Sequence, residues 1–84
     1  MEKKVLLNDV PNLYEFCALA SKKGFKIDAL NETGYYRLNA KSFMGLNSLD
    51  LSKPITIAVS EHEKRENEAE VKKFFDEIEK YAVK

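Results

Sequence analysis

Residues 40–45 have the sequence Ala-Lys-Ser-Phe-Met-Gly, which places a hydroxyl side chain at the beginning of an amphipathic pattern. Leucines follow at positions 46, 49 and 51, a spacing that puts apolar side chains on the inner face of a helix. Serine is a preferred N-cap residue because its oxygen accepts hydrogen bonds from unpaired backbone amides. We therefore expect a short helix from Ser42 to about Leu51. A phosphate on Ser42 would meet the same amides and the positive end of the helix.

Upstream of this stretch, the sequence predicts a strand, a helix and a hairpin. Residues 3–7 are a β-type run, and the polar segment before Pro11 predicts that a helix begins near Pro11 and is stopped by Gly24. The buried face of this helix consists of apolar residues at the i, i+3, i+4, i+7 spacing: Leu13, Phe16, Cys17 and Ala20. Alternating apolar residues then predict strands over 25–29 and 35–39, joined by a turn over 31–34.

Downstream, Pro54 precedes a near-continuous apolar run, residues 55–59, which favours a central strand. A charged loop should begin at Ser60 or Glu61. The last helix should bury a face made of Val71, Phe74, Phe75, Ile78 and Ala82. The order β-α-β-β-α-β-α predicts an α+β open-faced sandwich, in which three helices cover one face of a four-stranded antiparallel sheet. We expect residues 1–84 to form a single domain.

Length and composition exclude several classes of function. A chain of 84 residues can form one core but no deep enclosed active site, so any site should lie on the surface. The 14 basic and 14 acidic residues give no net charge, which argues against general binding to nucleic acids or membranes. Cys17 is the only cysteine, and we interpret it as a core residue and not as a reactive thiol. The absence of a long apolar run favours a cytoplasmic location.

Two motifs, together with the length and the element order, resemble HPr, the histidine-containing phosphocarrier protein of the bacterial sugar phosphotransferase system. One is Lys-Ser-Phe-Met-Gly at 41–45 with Ser-Leu at 48–49, and the other is Ala-Ser-Lys at 20–22. The resemblance covers almost the full chain. It implies that Ser42 occupies the position of the regulatory serine that HPr kinase phosphorylates. It also implies a partner-docking surface that includes Phe43, Met44 and Asn47.

The phospho-accepting histidine of HPr has no counterpart in this chain. The resemblance implies a histidine just before the first helix and an arginine two residues later, but residues 8–11 are Asn-Asp-Val-Pro in a shortened loop. Asp9 lies nearest to the missing histidine. Because a reversible phosphate relay needs a nucleophilic imidazole near neutral pH, we expect Asp9 to cap the helix instead of accepting phosphate. His62, the only histidine, follows the fourth strand and lies outside the relay loop.

The resemblance implies a degenerate HPr-like paralogue: a non-catalytic regulatory or adaptor protein switched by phosphorylation of Ser42. It would act in sugar transport regulation and catabolite repression, with an HPr kinase, a transcriptional regulator or surfaces like those of enzyme I as partners. The alternative is a protein-binding or self-associating module without phosphate chemistry. Phosphotransfer through Asp9 or His62 lacks supporting neighbours, and the arginine-bearing phosphate loop of acylphosphatases has no counterpart in residues 8–12. No cofactor or metal is expected, since further metal ligands are lacking.

Overall fold

The structure, a computed structural model, describes residues 1–83. The strands are β1 (Glu2–Val5), β2 (Asp28–Leu30), β3 (Arg37–Asn39) and β4 (Ile55–Ala58). The helices are α1 (Val10–Ser21), α2 (Phe43–Asn47), α3 (Glu61–Glu66) and α4 (Glu68–Glu77), and a 3₁₀ turn (Ile78–Tyr81) follows α4. Within these residues, no helix has the length and apolar character needed to cross a membrane. The predicted α+β architecture is confirmed, although the last helical region is divided.

The four strands form one antiparallel sheet in the order β1-β4-β2-β3. The central position of β4 was expected from its apolar run. Its Ile55 and Ile57 are buried and lie opposite Val5 of β1 and Ala29 of β2, respectively. Alternate residues point to the other face of a strand, and there Thr56 lies beside the exposed Lys4. One face of the sheet therefore belongs to the core and the other is polar.

A single cluster of buried apolar side chains joins the sheet to the helices. Phe74 of α4 lies within it, with ring centroids 6.2 Å from Phe16, 6.1 Å from Phe25 and 5.6 Å from Phe75. Apart from Tyr81 and Cys17, no residue with a polar side chain is buried among residues 1–83. The core thus holds α1 and α4 against the sheet by apolar packing.

The strands and the first helix differ in length from those that the sequence pattern predicts. β1 ends at Val5, and β2 and β3 are confined to three residues each. Tyr35 and Tyr36 belong to the hairpin loop because Gly34 turns the chain with a φ of +80° and the side chain of Asn31 accepts a hydrogen bond from the Tyr36 amide at 3.2 Å. α1 ends at Ser21, three residues before Gly24, so the prediction that this glycine stops the helix was wrong.

The charged segment after β4 is a helix, so the prediction of a loop there was wrong. Ser60 caps α3, since its Oγ accepts a hydrogen bond from the Glu63 amide at 3.2 Å. Acidic residues in the first turn and basic residues in the last turn also suit the helix dipole. α3 buries no residue, which explains why apolar periodicity does not reveal it. Asn67 separates α3 from α4.

The chain segment after the 3₁₀ turn covers the outer edge of β1. Val83 donates its amide to the Lys4 carbonyl at 3.1 Å, and the Leu6 amide donates to the Tyr81 carbonyl at 2.9 Å. An isolated bridge also pairs Val5 with Ala82. These bonds occupy backbone groups that an exposed edge strand would offer to another chain.

Candidate functional site

Ser42 is the N-cap of α2, as the sequence predicts. Its backbone is extended, with φ −93° and ψ 110°, and its Oγ accepts a hydrogen bond from the Gly45 amide at 3.1 Å. The side chain is exposed. α2 ends at Asn47 and does not continue to Leu51, because the Ser48 and Leu49 amides turn back to the Gly45 and Leu46 carbonyls. The helix thus presents an accessible hydroxyl at its beginning.

Gly45 leaves the space that the Ser42 cap needs. A Cβ atom at position 45 would lie 3.2 Å from Ser42 Oγ and 3.4 Å from Leu38 Cδ1. Both contacts are tighter than or at the limit of ordinary carbon packing. The glycine that follows the Ser-Phe-Met sequence is therefore suited to the close approach of the hydroxyl to the helix backbone.

Lys41 fixes the segment before Ser42 against α1. Its carbonyl oxygen accepts hydrogen bonds from Cys17 Sγ at 3.3 Å and from Ser21 Oγ at 3.5 Å. Its Nζ donates to the Lys23 carbonyl at 2.7 Å. Cys17 is buried, which agrees with its interpretation as a core residue. Since the Lys41 ammonium already binds a carbonyl beyond α1, its position is set by the scaffold.

An exposed apolar surface lies beside the Ser42 cap, and we name Tyr14, Phe43 and Met44 the α2 patch. The Tyr14 and Phe43 rings are stacked, with centroids 4.4 Å apart and planes 23° apart. Phe43 is half-buried and packs against the core, whereas 82% of Met44 is exposed. Val10, also exposed, precedes Tyr14 by four residues and shares its helix face. Exposed apolar surface of this kind is typical of protein interaction sites.

Asp9 caps α1, as the sequence predicts. Its Oδ1 accepts a hydrogen bond from the Asn12 amide at 2.8 Å, and its Oδ2 accepts one from Asn12 Nδ2 at 3.1 Å. Pro11 lies in the first turn, where its missing N–H is tolerated. The amide at the helix N-terminus is thus satisfied by the chain's own carboxylate.

The remaining predicted residues are exposed at separate places. Asn47 ends α2, and His62 lies on α3 among charged residues. Over residues 1–83, no group of three histidine, cysteine or acidic side chains could hold a metal ion. The structure therefore brings Ser42, Phe43, Met44 and Asn47 together on one short helix and leaves His62 elsewhere.

Tyr14 is the part of this surface that the sequence pattern does not reveal. It lies outside the buried stripe of α1 and would be expected simply to face solvent. Its contact with Phe43 depends on how α1 and α2 pack, across 29 positions of sequence. The only local signal is the pair of apolar residues Val10 and Tyr14 at i, i+4 on the otherwise exposed face.

No family model and no curated protein sequence matches the chain. Among solved structures, it is similar to the crystal structure of HPr-C-His from Thermoanaerobacter tengcongensis, with a TM-score of 0.65 and 25% sequence identity. The match covers 94% of this chain and 91% of that chain. The two proteins thus share an architecture over nearly their full lengths. The chain is an HPr-like protein by fold, which relates it to the phosphocarriers.

Proposed function

We propose that this protein is a non-catalytic HPr-like regulator or adaptor whose Ser42 accepts a phosphate from an HPr kinase. The HPr-like fold implies protein partners in general. The α2 patch, Ser42 and Asn47 would together form a docking surface. Its partner would be a kinase, a transcriptional regulator or a surface like that of enzyme I. The setting would be the bacterial cytoplasm, in sugar transport regulation and catabolite repression.

The observation that carries this proposal is the exposed Ser42 hydroxyl at the start of α2, directly beside the exposed Met44. Phosphorylation would add about 1.5 to 2 negative charges at the edge of the apolar patch. A helix N-terminus tolerates such charge, so the fold should persist while the binding surface changes. Phosphorylation would therefore change which partner binds without unfolding the protein.

The absence of a histidine before α1 supports a role outside the phosphate relay. Residues 8–11 provide no imidazole, and both oxygens of the Asp9 carboxylate are engaged with Asn12. A carboxylate that accepts phosphate would also need cationic or metal support, and residues 8–12 contain no lysine, arginine or histidine. These features favour regulation over phosphocarrier activity.

The test is phosphorylation by an HPr kinase and ATP, read as intact mass. Ser60 offers a matched control, because it is also an exposed N-cap whose hydroxyl accepts a hydrogen bond from the amide three residues later. It differs from Ser42 in its surroundings, since Glu61 and Glu63 lie in the turn that follows it in place of Phe43 and Met44. We expect one phosphate on the wild type and on Ser60→Ala, and none on Ser42→Ala. Phosphate retained by Ser42→Ala would refute the assignment, as would an unmodified wild type beside a phosphorylated authentic HPr.

The alternative is a binding or self-associating module without phosphate chemistry, and the exposure of Met44 favours it specifically. A second copy would bury the α2 patch, where 82% of Met44 is exposed. The β1 edge is already covered by residues 81–83. Sedimentation equilibrium would then give a concentration-dependent mass, and Met44→Lys would restore the monomer. A monomeric mass at all concentrations would exclude self-association.

A further inference from the structure

A cleft separate from the α2 patch lies between the hairpin loop, residues 31–36, and the segment 48–53 that follows α2. We name it the hairpin cleft. Its volume is about 360 Å³, and small-molecule and side-chain binding pockets begin at roughly 300 Å³. Neither Phe43 nor Met44 lines it. The cleft is therefore a second concave surface, available at the same time as the docking surface proposed above.

Both walls of the hairpin cleft are held by hydrogen bonds of the protein itself. On one side, Asn31 Oδ1 accepts from Thr33 Oγ1 at 3.1 Å and from the Tyr36 amide at 3.2 Å. On the other side, Asp50 Oδ1 accepts from the Ser52 amide at 3.2 Å and from Ser52 Oγ at 2.6 Å. A preformed cleft loses little conformational entropy when a ligand enters.

The side chains that line the cleft combine an aromatic ring with excess negative charge. Tyr36 is 54% exposed, although burial of an aromatic ring is energetically favourable. Leu49, which is largely buried, also lines the cleft. Two residues with carboxylates, Glu32 and Asp50, and one with an ammonium, Lys53, line the cleft. The Ser52 hydroxyl lowers the pKa of Asp50, so this carboxylate remains ionised at neutral pH. The cleft should therefore attract a cation and repel an anion.

The lysine inside the cleft does not neutralise it. Lys53 Nζ lies 3.9 Å from Glu32 Oε2, and the exposed fractions of the two side chains are 60% and 59%, respectively. Exposed pairs at this separation are weak and yield readily to a competing cation. Both hydrogen bonds that Ser52 donates to Asp50 end on Oδ1, so Asp50 Oδ2 can accept a hydrogen bond from a ligand.

We propose that the hairpin cleft binds the side chain of an arginine presented by a protein partner. A guanidinium is planar and stacks on an aromatic ring such as that of Tyr36, while its several N–H groups donate to carboxylates such as Asp50. Its aliphatic stem would contact Leu49. The cleft is open to solvent, which suits a side chain entering from a partner.

The experiment is an amide NMR titration of the whole protein with acetyl-arginine methylamide. The matched probe is acetyl-citrulline methylamide, which has nearly the same shape but no charge. Shifts should be confined to residues 31–36 and 48–53, and citrulline should bind at least about tenfold more weakly because it lacks charge-assisted hydrogen bonds. Equal binding of the two probes, shifts centred elsewhere, or no shifts at millimolar arginine probe would overturn the proposal.

Three variants test the named contacts. Asp50→Asn keeps an oxygen acceptor for Ser52 but removes the charge, and Tyr36→Ala removes the ring, so each should weaken arginine binding several-fold. Tyr35→Ala is the control, because Tyr35 is 94% exposed and does not line the cleft. Unchanged affinity in both cleft variants, or an equal loss in Tyr35→Ala, would contradict the assignment. Since Ser42 is not involved, the result is independent of the kinase reaction.

Discussion

At the level of single residues, two N-caps of different chemistry stand at the beginnings of α1 and α2. Ser42 and Asp9 are both N-caps, but Ser42 is a hydroxyl beside an exposed apolar patch, whereas Asp9 is a carboxylate engaged by Asn12. Both caps are predictable from the sequence, since capping depends on residue type and on the few residues that follow. The space around Gly45 is only partly predictable, because a Cβ there would meet Leu38 of β3 as well as the neighbouring Ser42 hydroxyl.

A substitution at Ser42 tests the cap directly. Ser42→Asp should change the free energy of unfolding by less than about 1 kcal/mol, because aspartate is an equally good N-cap, whereas Ser42→Ala should destabilise by about 1 kcal/mol. Urea denaturation of both variants beside the wild type is the measurement. A loss from Ser42→Asp larger than the loss from Ser42→Ala would mean that the carboxylate is not accommodated at the beginning of α2.

At the scale of secondary structure, the elements with an apolar face were predictable and those without one were not. α1 and α4 show buried stripes in the sequence, and β4 shows a continuous apolar run. α3 buries nothing and depends on the Ser60 cap and on its charges, so periodicity could not identify it. The hairpin cleft also escapes prediction, because residues 31–36 and 48–53 meet only in the folded chain.

The last turn of the chain is tied to α1 by a contact that no local pattern predicts. Tyr81 donates its hydroxyl hydrogen to Glu15 Oε1 at 2.5 Å, and Lys80 forms an ion pair with the same carboxylate. Burial of the ring, and then the bond to Glu15, raise the pKa of Tyr81 well above its ordinary value. The neutral phenol is therefore the form that the folded state favours.

The pH dependence of stability tests this contact. Because the pKa of Tyr81 is raised on folding, its contribution is fully present below the pKa of the unfolded chain, about 10, and is lost as the pH rises above that value. We expect the advantage of the wild type over Tyr81→Phe to stay constant up to about pH 9 and then to fall progressively as the pH rises above about 10 towards the raised pKa of the folded state. Urea midpoints of both proteins across this range would show it. A constant difference between them would contradict the assigned contact.

At the scale of the whole molecule, one apolar cluster supports both surfaces. The rings around Phe74 connect α1, α4 and the segment before β2, while the partly buried Phe43 extends the cluster to the α2 patch. Sequence pattern and motif resemblance predicted this architecture, and the similarity to a solved HPr structure agrees with it. The docking partner is not encoded in the fold, since one architecture can serve several functions.

Truncation of the central ring tests the importance of this cluster. Phe74→Ala should destabilise the protein by about 3 to 5 kcal/mol, a large part of the roughly 5 to 15 kcal/mol typical of a domain. Tyr35→Ala removes a ring of similar size that is 94% exposed, and should change stability by less than about 0.5 kcal/mol. Thermal and urea unfolding of both variants would measure these changes in the free energy of unfolding. Similar losses from the two would mean that Phe74 is not central to the core.

Phosphate is proposed to reach this protein through Ser42 and not through the phosphate relay. The most direct measurement incubates the wild type separately with HPr kinase plus ATP and with enzyme I plus phosphoenolpyruvate, and reads the intact mass after each reaction, with an ordinary HPr in parallel. We expect one phosphate from the kinase and none from enzyme I. Phosphate transferred by enzyme I would contradict this proposal and would leave Asp9 and His62 as the candidate phosphate acceptors.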